Sequence, residues 1–111
     1  MGLIRRELHT KATNRLADQL RAIAHPARLA LVRHIAARND CICTDLSKEV
    51  GLAQATVSQH LKVLKEAGII QGAIEGNAVC YCISPRAIRA FKQDFLEILE
   101  ELENANCNSA C

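Results

Sequence analysis

Thr44-Asp45-Leu46-Ser47-Lys48-Glu49-Val50-Gly51-Leu52-Ala53-Gln54-Ala55-Thr56-Val57-Ser58-Gln59-His60-Leu61-Lys62-Val63-Leu64-Lys65-Glu66-Ala67-Gly68 decides the fold. Thr44 is a capping type and Gly51 a helix stop, so a short helix is expected from about Thr44 to Val50. After Leu52-Ala53, the residues Val57, Leu61 and Leu64 recur at helical spacing. They predict a second helix from Gln54 to about Ala67, ended by Gly68. Two helices about a tight glycine-containing turn are the signature of a helix-turn-helix.

Working downstream, Ile69–Glu75 and Ala78–Ser84 alternate apolar and polar residues and meet at Gly76-Asn77, a hairpin signal. Ser84-Pro85 then opens a last helix, with the serine as cap and the proline at its first position. Ile88, Phe91, Phe95, Ile98, Leu99 and Leu102 give that helix one apolar face. Upstream, Leu8, Ala12, Leu16, Leu20 and Ile23 predict a first helix over about residues 8–24, which His25-Pro26 interrupts. A further helix from Pro26 to near Asn39 buries Leu29, Leu31, Val32 and Ile35. Cys41-Ile42-Cys43 reads as a brief strand. The order helix, helix, strand, helix, helix, hairpin, helix describes a mainly α winged helix-turn-helix with a small β-hairpin. Residues 1–103 make one binding and dimerisation domain, and 104–111 a flexible cysteine-containing tail.

The 14 basic and 12 acidic residues leave a net charge of only +2, but they are unevenly placed. Arg5, Arg6, Lys11, Arg15, Arg21, Arg28, Arg33, Arg38, Lys48, Lys62 and Lys65 lie before residue 71, whereas Glu97, Glu100, Glu101 and Glu103 crowd the last helix. A basic body with an acidic end suits a protein that presents one side to phosphate. Met1 to Lys11 has no apolar signal-peptide core, and no apolar run approaches the roughly 18 residues of a membrane span. A cytoplasmic location without a membrane partner is therefore expected.

The helix from Gln54 hides Val57, Leu61 and Leu64, so its other faces are free for a partner. Gln54, Thr56, Ser58, Gln59, His60 and Lys62 crowd its N-terminal half, the part of a recognition helix that enters the major groove. Gln59 can pair with adenine, Thr56 and Ser58 can serve several base edges, and Lys62 can neutralise phosphate. Double-stranded DNA is the expected partner, and no cofactor is needed to bind it.

Six cysteines fall into three pairs: Cys41 and Cys43, Cys80 and Cys82, Cys107 and Cys111. Each of the first two pairs is Cys-x-Cys on an expected strand, so both of its thiols share a face. If Ile42, Val79, Tyr81 and Ile83 face the core, the four thiols face outward on neighbouring strands. That arrangement could hold a thiophilic ion or oxidise to a disulfide. Cys41, Cys43, Cys80 and Cys82 are the candidate ligands, for trivalent arsenic or antimony or for a soft divalent metal. Trivalent arsenic needs three thiolates and would leave one spare. Cys107 and Cys111 could reach a site on either subunit or stay inert.

Thr44-Asp45-Leu46, Ala53 to Leu64 and Ala67-Gly68-Ile69-Ile70, together with Leu20-Arg21-Ala22-Ile23-Ala24-His25-Pro26-Ala27-Arg28-Leu29, resemble the ArsR/SmtB family of metal-responsive repressors. The likeness runs from about Leu16 to Pro85. It implies a homodimer made by the first and last helices, bound to an imperfect inverted repeat in promoter DNA and released by a ligand, arsenite foremost. Three departures stand out. Arsenic-responsive members carry Cys-Val-Cys-Asp-Leu, whereas here Thr44 precedes Asp45 and the pair lies one residue earlier. Their ligand set therefore does not carry over. The family's zinc site needs Asp and His on the last helix, and this chain has Asp94 but no histidine after His60. Finally, the wing reads Ala73-Ile74-Glu75-Gly76-Asn77-Ala78, without arginine.

No phosphate loop, nucleophile elbow or zinc-protease helix occurs, so an enzyme is not expected. His25, next to Pro26, reads as a cap and not as a base. Three alternatives stay open beside the metal-released repressor: a thiol-redox-responsive DNA binder, a constitutive one, and a winged-helix module for protein partners.

Overall fold

The computed structural model describes residues 10–38, 41, 46–76 and 78–105. Two helices open this part of the chain. Helix α1 spans Lys11–Ile23 and α2 spans Pro26–Ala36. The first starts later than the periodicity suggests, because Thr10 is extended and its hydroxyl accepts the Thr13 N–H at 3.1 Å. His25 breaks the pair as a cap: its Nδ1 accepts the Ala27 N–H at 3.0 Å, and Pro26 opens α2 where its missing donor costs nothing.

Helix α3 (Leu46–Val50) and helix α4 (Gln54–Glu66) follow. Gly51 joins them at φ +70°, a conformation that L side chains rarely adopt. Helix α4 ends in a Schellman arrangement. The Gly68 N–H bonds to the Lys65 carbonyl and the Ile69 N–H to the Leu64 carbonyl, both at 3.0 Å, with Gly68 at φ +80°. Leu64 and Ile69 are both buried there, so the apolar contact of that motif also helps fill the core.

The wing is the antiparallel pair β1 (Ile70–Glu75) and β2 (Ala78–Ile83), with Ile70 opposite Ile83, Ala73 opposite Cys80 and Glu75 opposite Ala78. Ser84 then caps helix α5 (Pro85–Glu103) by accepting the Ala87 N–H at 3.4 Å. These elements make a mainly α winged helix-turn-helix. Cys41 lies outside any strand, and the rest of the strand expected at 41–43 lies outside the described residues, as do Thr44, Asn77, Cys107 and Cys111.

The core joins Ala22 of α1, Leu31 and Ile35 of α2, Leu46 of α3, Val57, Leu61 and Leu64 of α4, and Ile69 and Ile70 at the wing's base. Tyr81, Ile83 and Ile88 close it from β2 and α5. The expected burial of Leu29 is not seen; it is 47% exposed. Helix α2 scatters Arg28, Arg33 and His34 around its circumference, so periodicity could not choose its inner face, and Leu29 lies across the helix from Leu31 and Ile35.

Helix α5 has no buried residue. Phe91 and Phe95 stack with ring centres 5.9 Å apart, and Arg15 of α1 reaches Asp94 at 3.7 Å. Beyond them Leu96, Ile98, Leu99 and Leu102 stand open. Among the described residues no helix is long and apolar enough to cross a membrane.

Candidate nucleic-acid interface and thiol cluster

Helix α4 is held by its inner stripe: Val57, Leu61 and Leu64 are at most 5% exposed. Burying an aliphatic side chain of this size contributes about 1.5–3 kcal/mol, so three of them fix the helix firmly on the body. Gln54, Thr56, Ser58, Gln59 and Lys62 are exposed on its other faces. Ala53 supplies no side-chain cap, so the first N–H groups of α4 keep their partial positive charge for an anion. The Gln54 amide lies 3.5 Å from Ser58 Oγ, the outer limit of a hydrogen bond, and both groups remain available to a ligand.

His60 sits differently from the other five. Its ring packs on His25 with centres 4.7 Å apart, at a tilt of 50°. Partial burial, then the nearby His25 and Arg28 charges, hold its imidazole below the usual histidine pKa. His60 thus leaves α4 on the side that meets α2. The expectation missed His25 and Arg28 as its neighbours, although the His-Pro-Ala-Arg run at a helix start places both on the first turn of α2.

The turn of the helix-turn-helix is braced by charge. Glu49 of α3 accepts from Arg38 at 3.0 Å and lies 3.5 Å from His34. The wing docks on the end of α4, where the Lys65 chain crosses Gly72. A Cβ at residue 72 would come 3.2 Å from its Nζ. The wing's outer end is apolar, with Ile74 81% and Val79 45% exposed.

The thiols do not all face outward. Cys80 is fully buried, and it is Val79 that points to solvent. Cys80 is thus buried and Cys82 part-buried on one face of the strand, and Tyr81 and Ile83 pack against the core from the opposite face. Cys41 and Cys82 are joined by a disulfide, with Cα atoms 4.3 Å apart and a sequence separation of 41. Cys80 is disulfide-bonded as well. Cys43 lies outside the described residues, so the four expected ligands are seen only in part: Cys41 and Cys82 meet, and Cys80 lies two residues along the same strand. Among the described residues no three His, Cys, Asp or Glu side chains form a metal-binding group. Two sulfur atoms in contact nevertheless suit any thiophilic ion once reduced.

Comparison with known proteins places this geometry in context. Residues 25–71, from the cap of α2 into β1, match the family model described as bacterial regulatory protein, arsR family. The chain is 40% identical over 64 residues to the HTH-type transcriptional repressor SmtB of Mycobacterium tuberculosis, which covers 58% of this chain and 47% of that protein. It also matches an uncharacterised HTH-type transcriptional regulator of the same species at 35% over 68 residues, 61% of this chain and 60% of the relative. The alignments thus span about half to three fifths of these relatives' length.

Among solved structures, an ArsR-like transcriptional regulator from Rhodococcus sp. RHA1 superposes with a TM-score of 0.73 at 15% identity, covering 85% of this chain and 88% of that one. The homodimeric winged helix-turn-helix DNA-binding domain of Mb0332 from Mycobacterium bovis gives 0.61 at 23%, covering 86% and 89%. At such identities these two likenesses speak for the fold alone. Taken with the sequence match, residues 25–71 of this chain are similar to the arsR family of bacterial regulatory proteins and are set in a winged-helix fold.

Proposed function

We propose that the chain is a cytoplasmic, homodimeric transcriptional repressor that binds an imperfect inverted repeat in promoter DNA and lets go when its thiols react. The observation that carries the DNA reading is α4. A helix anchored by Val57, Leu61 and Leu64 turns Gln54, Thr56, Ser58, Gln59 and Lys62 to solvent from an uncapped N-terminus. His60 belongs to the same surface at its edge, where it meets α2. The uncovered apolar run of α5 supports the dimer, and Mb0332, which shares the fold, is homodimeric. In the proposal residues 1–103 form the binding and dimerisation domain, and the chain is not an enzyme.

The sensing part rests on Cys41, Cys43, Cys80 and Cys82, with arsenite, antimonite or a soft divalent metal as inducer. In reduced protein, Cys41 and Cys82 are near enough to share one such ion, and Cys80 or Cys43 would add the third thiolate. Such an ion would pull the segment ahead of α3 against the wing strand and so alter how helix and wing sit together. The Cys41–Cys82 bond favours a second reading, release by an oxidant that forms this disulfide.

The test is fluorescence anisotropy of reduced protein on labelled promoter DNA, titrated with arsenite, zinc, cadmium and a mild oxidant. Near-stoichiometric release by arsenite supports the first reading. Release by oxidant alone, reversed by a dithiol, supports the second. Tight binding untouched by all four refutes both, and no duplex binding at low salt refutes the DNA reading itself.

A further inference from the structure

A groove of about 340 Å³ runs between the C-terminal half of α1, the first turn of α2 and the last turn of α4, away from the face of α1 that meets α5. Ala22, Val63 and Ala67 give it an apolar floor, and four charged side chains rim it. Asp18 and Arg21 pair with each other at 3.2 Å. That leaves Arg28 and Glu66, neither of which has an ion-pair partner among the described residues. The Nε–H of Arg28 is buried and has no hydrogen-bond acceptor among them. A buried donor of this kind carries an uncompensated desolvation cost until an acceptor arrives. Volumes of this size suit small ligands, for which an apolar body and a few placed polar groups set orientation.

We propose that this groove binds a small amphoteric molecule, an α-amino acid with an aliphatic side chain, its carboxylate on Arg28, its ammonium on Glu66 and its side chain on Ala22, Val63 and Ala67. A simple carboxylate satisfies Arg28 but sets its charge near Asp18 and Glu66. A simple amine leaves Arg28 unanswered. Only a ligand with both charges meets both unpaired groups. The same groove touches the DNA-reading helix twice. Val63 and Glu66 lie on α4, and the Arg28 charge is one of those felt by His60. A carboxylate on Arg28 offsets that charge, so occupancy is legible at the His60 ring. This inference does not depend on the thiols or on the operator.

The experiment uses the full-length reduced protein and NMR titration of the His60 ring with leucine, 4-methylpentanoate and 3-methylbutylamine at millimolar concentrations. Leucine is expected to give a saturable shift and to raise the His60 pKa, and each half-ligand to bind at least about tenfold more weakly. Glu66→Gln, an exposed change that leaves the fold intact, should weaken leucine by about tenfold and leave 4-methylpentanoate no weaker. Arg28→Lys keeps the charge but loses the planar fork, and should weaken both acids. No saturable shift with leucine, equal binding of leucine and 4-methylpentanoate, or leucine binding unchanged in Glu66→Gln would each overturn the proposal.

Discussion

The Cys41–Cys82 bond closes a loop with a sequence separation of 41 that contains the whole helix-turn-helix and most of the wing. A cross-link of that span removes chain entropy from the unfolded state. The usual loop relation gives about 13 cal/mol/K, or about 4 kcal/mol at 25 °C. Cys41 is only half-buried, so its own packing adds little. Cys41→Ala should therefore destabilise the oxidised protein by up to about 4 kcal/mol, less as far as the remaining Cys80 disulfide still constrains the unfolded chain, and the reduced protein by much less than about 1 kcal/mol. With a urea m-value of about 1.5 kcal/mol/M, the oxidised midpoint should fall by up to about 2.5 M. The assay is urea unfolding followed by circular dichroism at one fixed protein concentration, in oxidised and reduced buffers, for both proteins. If Cys41→Ala costs the same in both buffers, the effect is packing and not cross-linking. If it costs nothing in either, the bond contributes nothing to the native state and the entropic reasoning fails.

Three further outcomes follow from the geometry. Gln59→Ala should cost about 1–3 kcal/mol of operator affinity and relax preference at one base pair, whereas Lys62→Ala should lower the salt slope by about one; anisotropy at several salt concentrations separates them. Because the folded protein holds the His60 pKa below its unfolded value of about 6.5, the unfolded chain binds more protons in that range. Stability should then be full above that value and decline as pH falls through it, and thermal melts of His60→Gln should show a shallower decline. Leu102→Asp replaces a side chain that is 67% exposed in the single chain, so the monomer should keep its helicity while sedimentation shows loss of the dimer. A dimer unchanged by that substitution would place the interface elsewhere.

Much of the fold could be read because the chain punctuates it chemically. Pro26, Gly51, Gly68 and the Ser84-Pro85 pair stand where helices start or stop, and each acts through its own backbone, so no tertiary knowledge is needed. The stripe Val57, Leu61, Leu64 was legible for the same reason. It alternates with polar residues at one period, so only one face can be buried.

Where a residue's setting depends on distant chain, the sequence was silent. Leu29 sits on a helix whose polar residues, Arg28, Arg33 and His34, gather on no single side to mark outward. Cys80 is a small apolar side chain on a strand where Val79 competes for the inside, and nothing local chooses between them. Thr10 stands inside a pattern that begins at Leu8, and its hydroxyl cap sets the helix start at Lys11. His60 looked like one more polar residue of α4, but its contact with His25 joins helices that are far apart along the chain.

Helix α5 has one more consequence, and it is mechanical. Its 19 residues form a rod of about 28 Å, attached to the body near Ile88 and open along its far half. In the proposed dimer two such rods lie together, and each carries a reading head at one end. A change of about 10° in their crossing angle sweeps the end of a rod through about 5 Å, more than a base-edge hydrogen bond tolerates. The heads would stay folded and still fit one groove each, but would lose the distance between grooves. Release from DNA then requires no unfolding and no change within α4, only a lever moved a short way at its pivot.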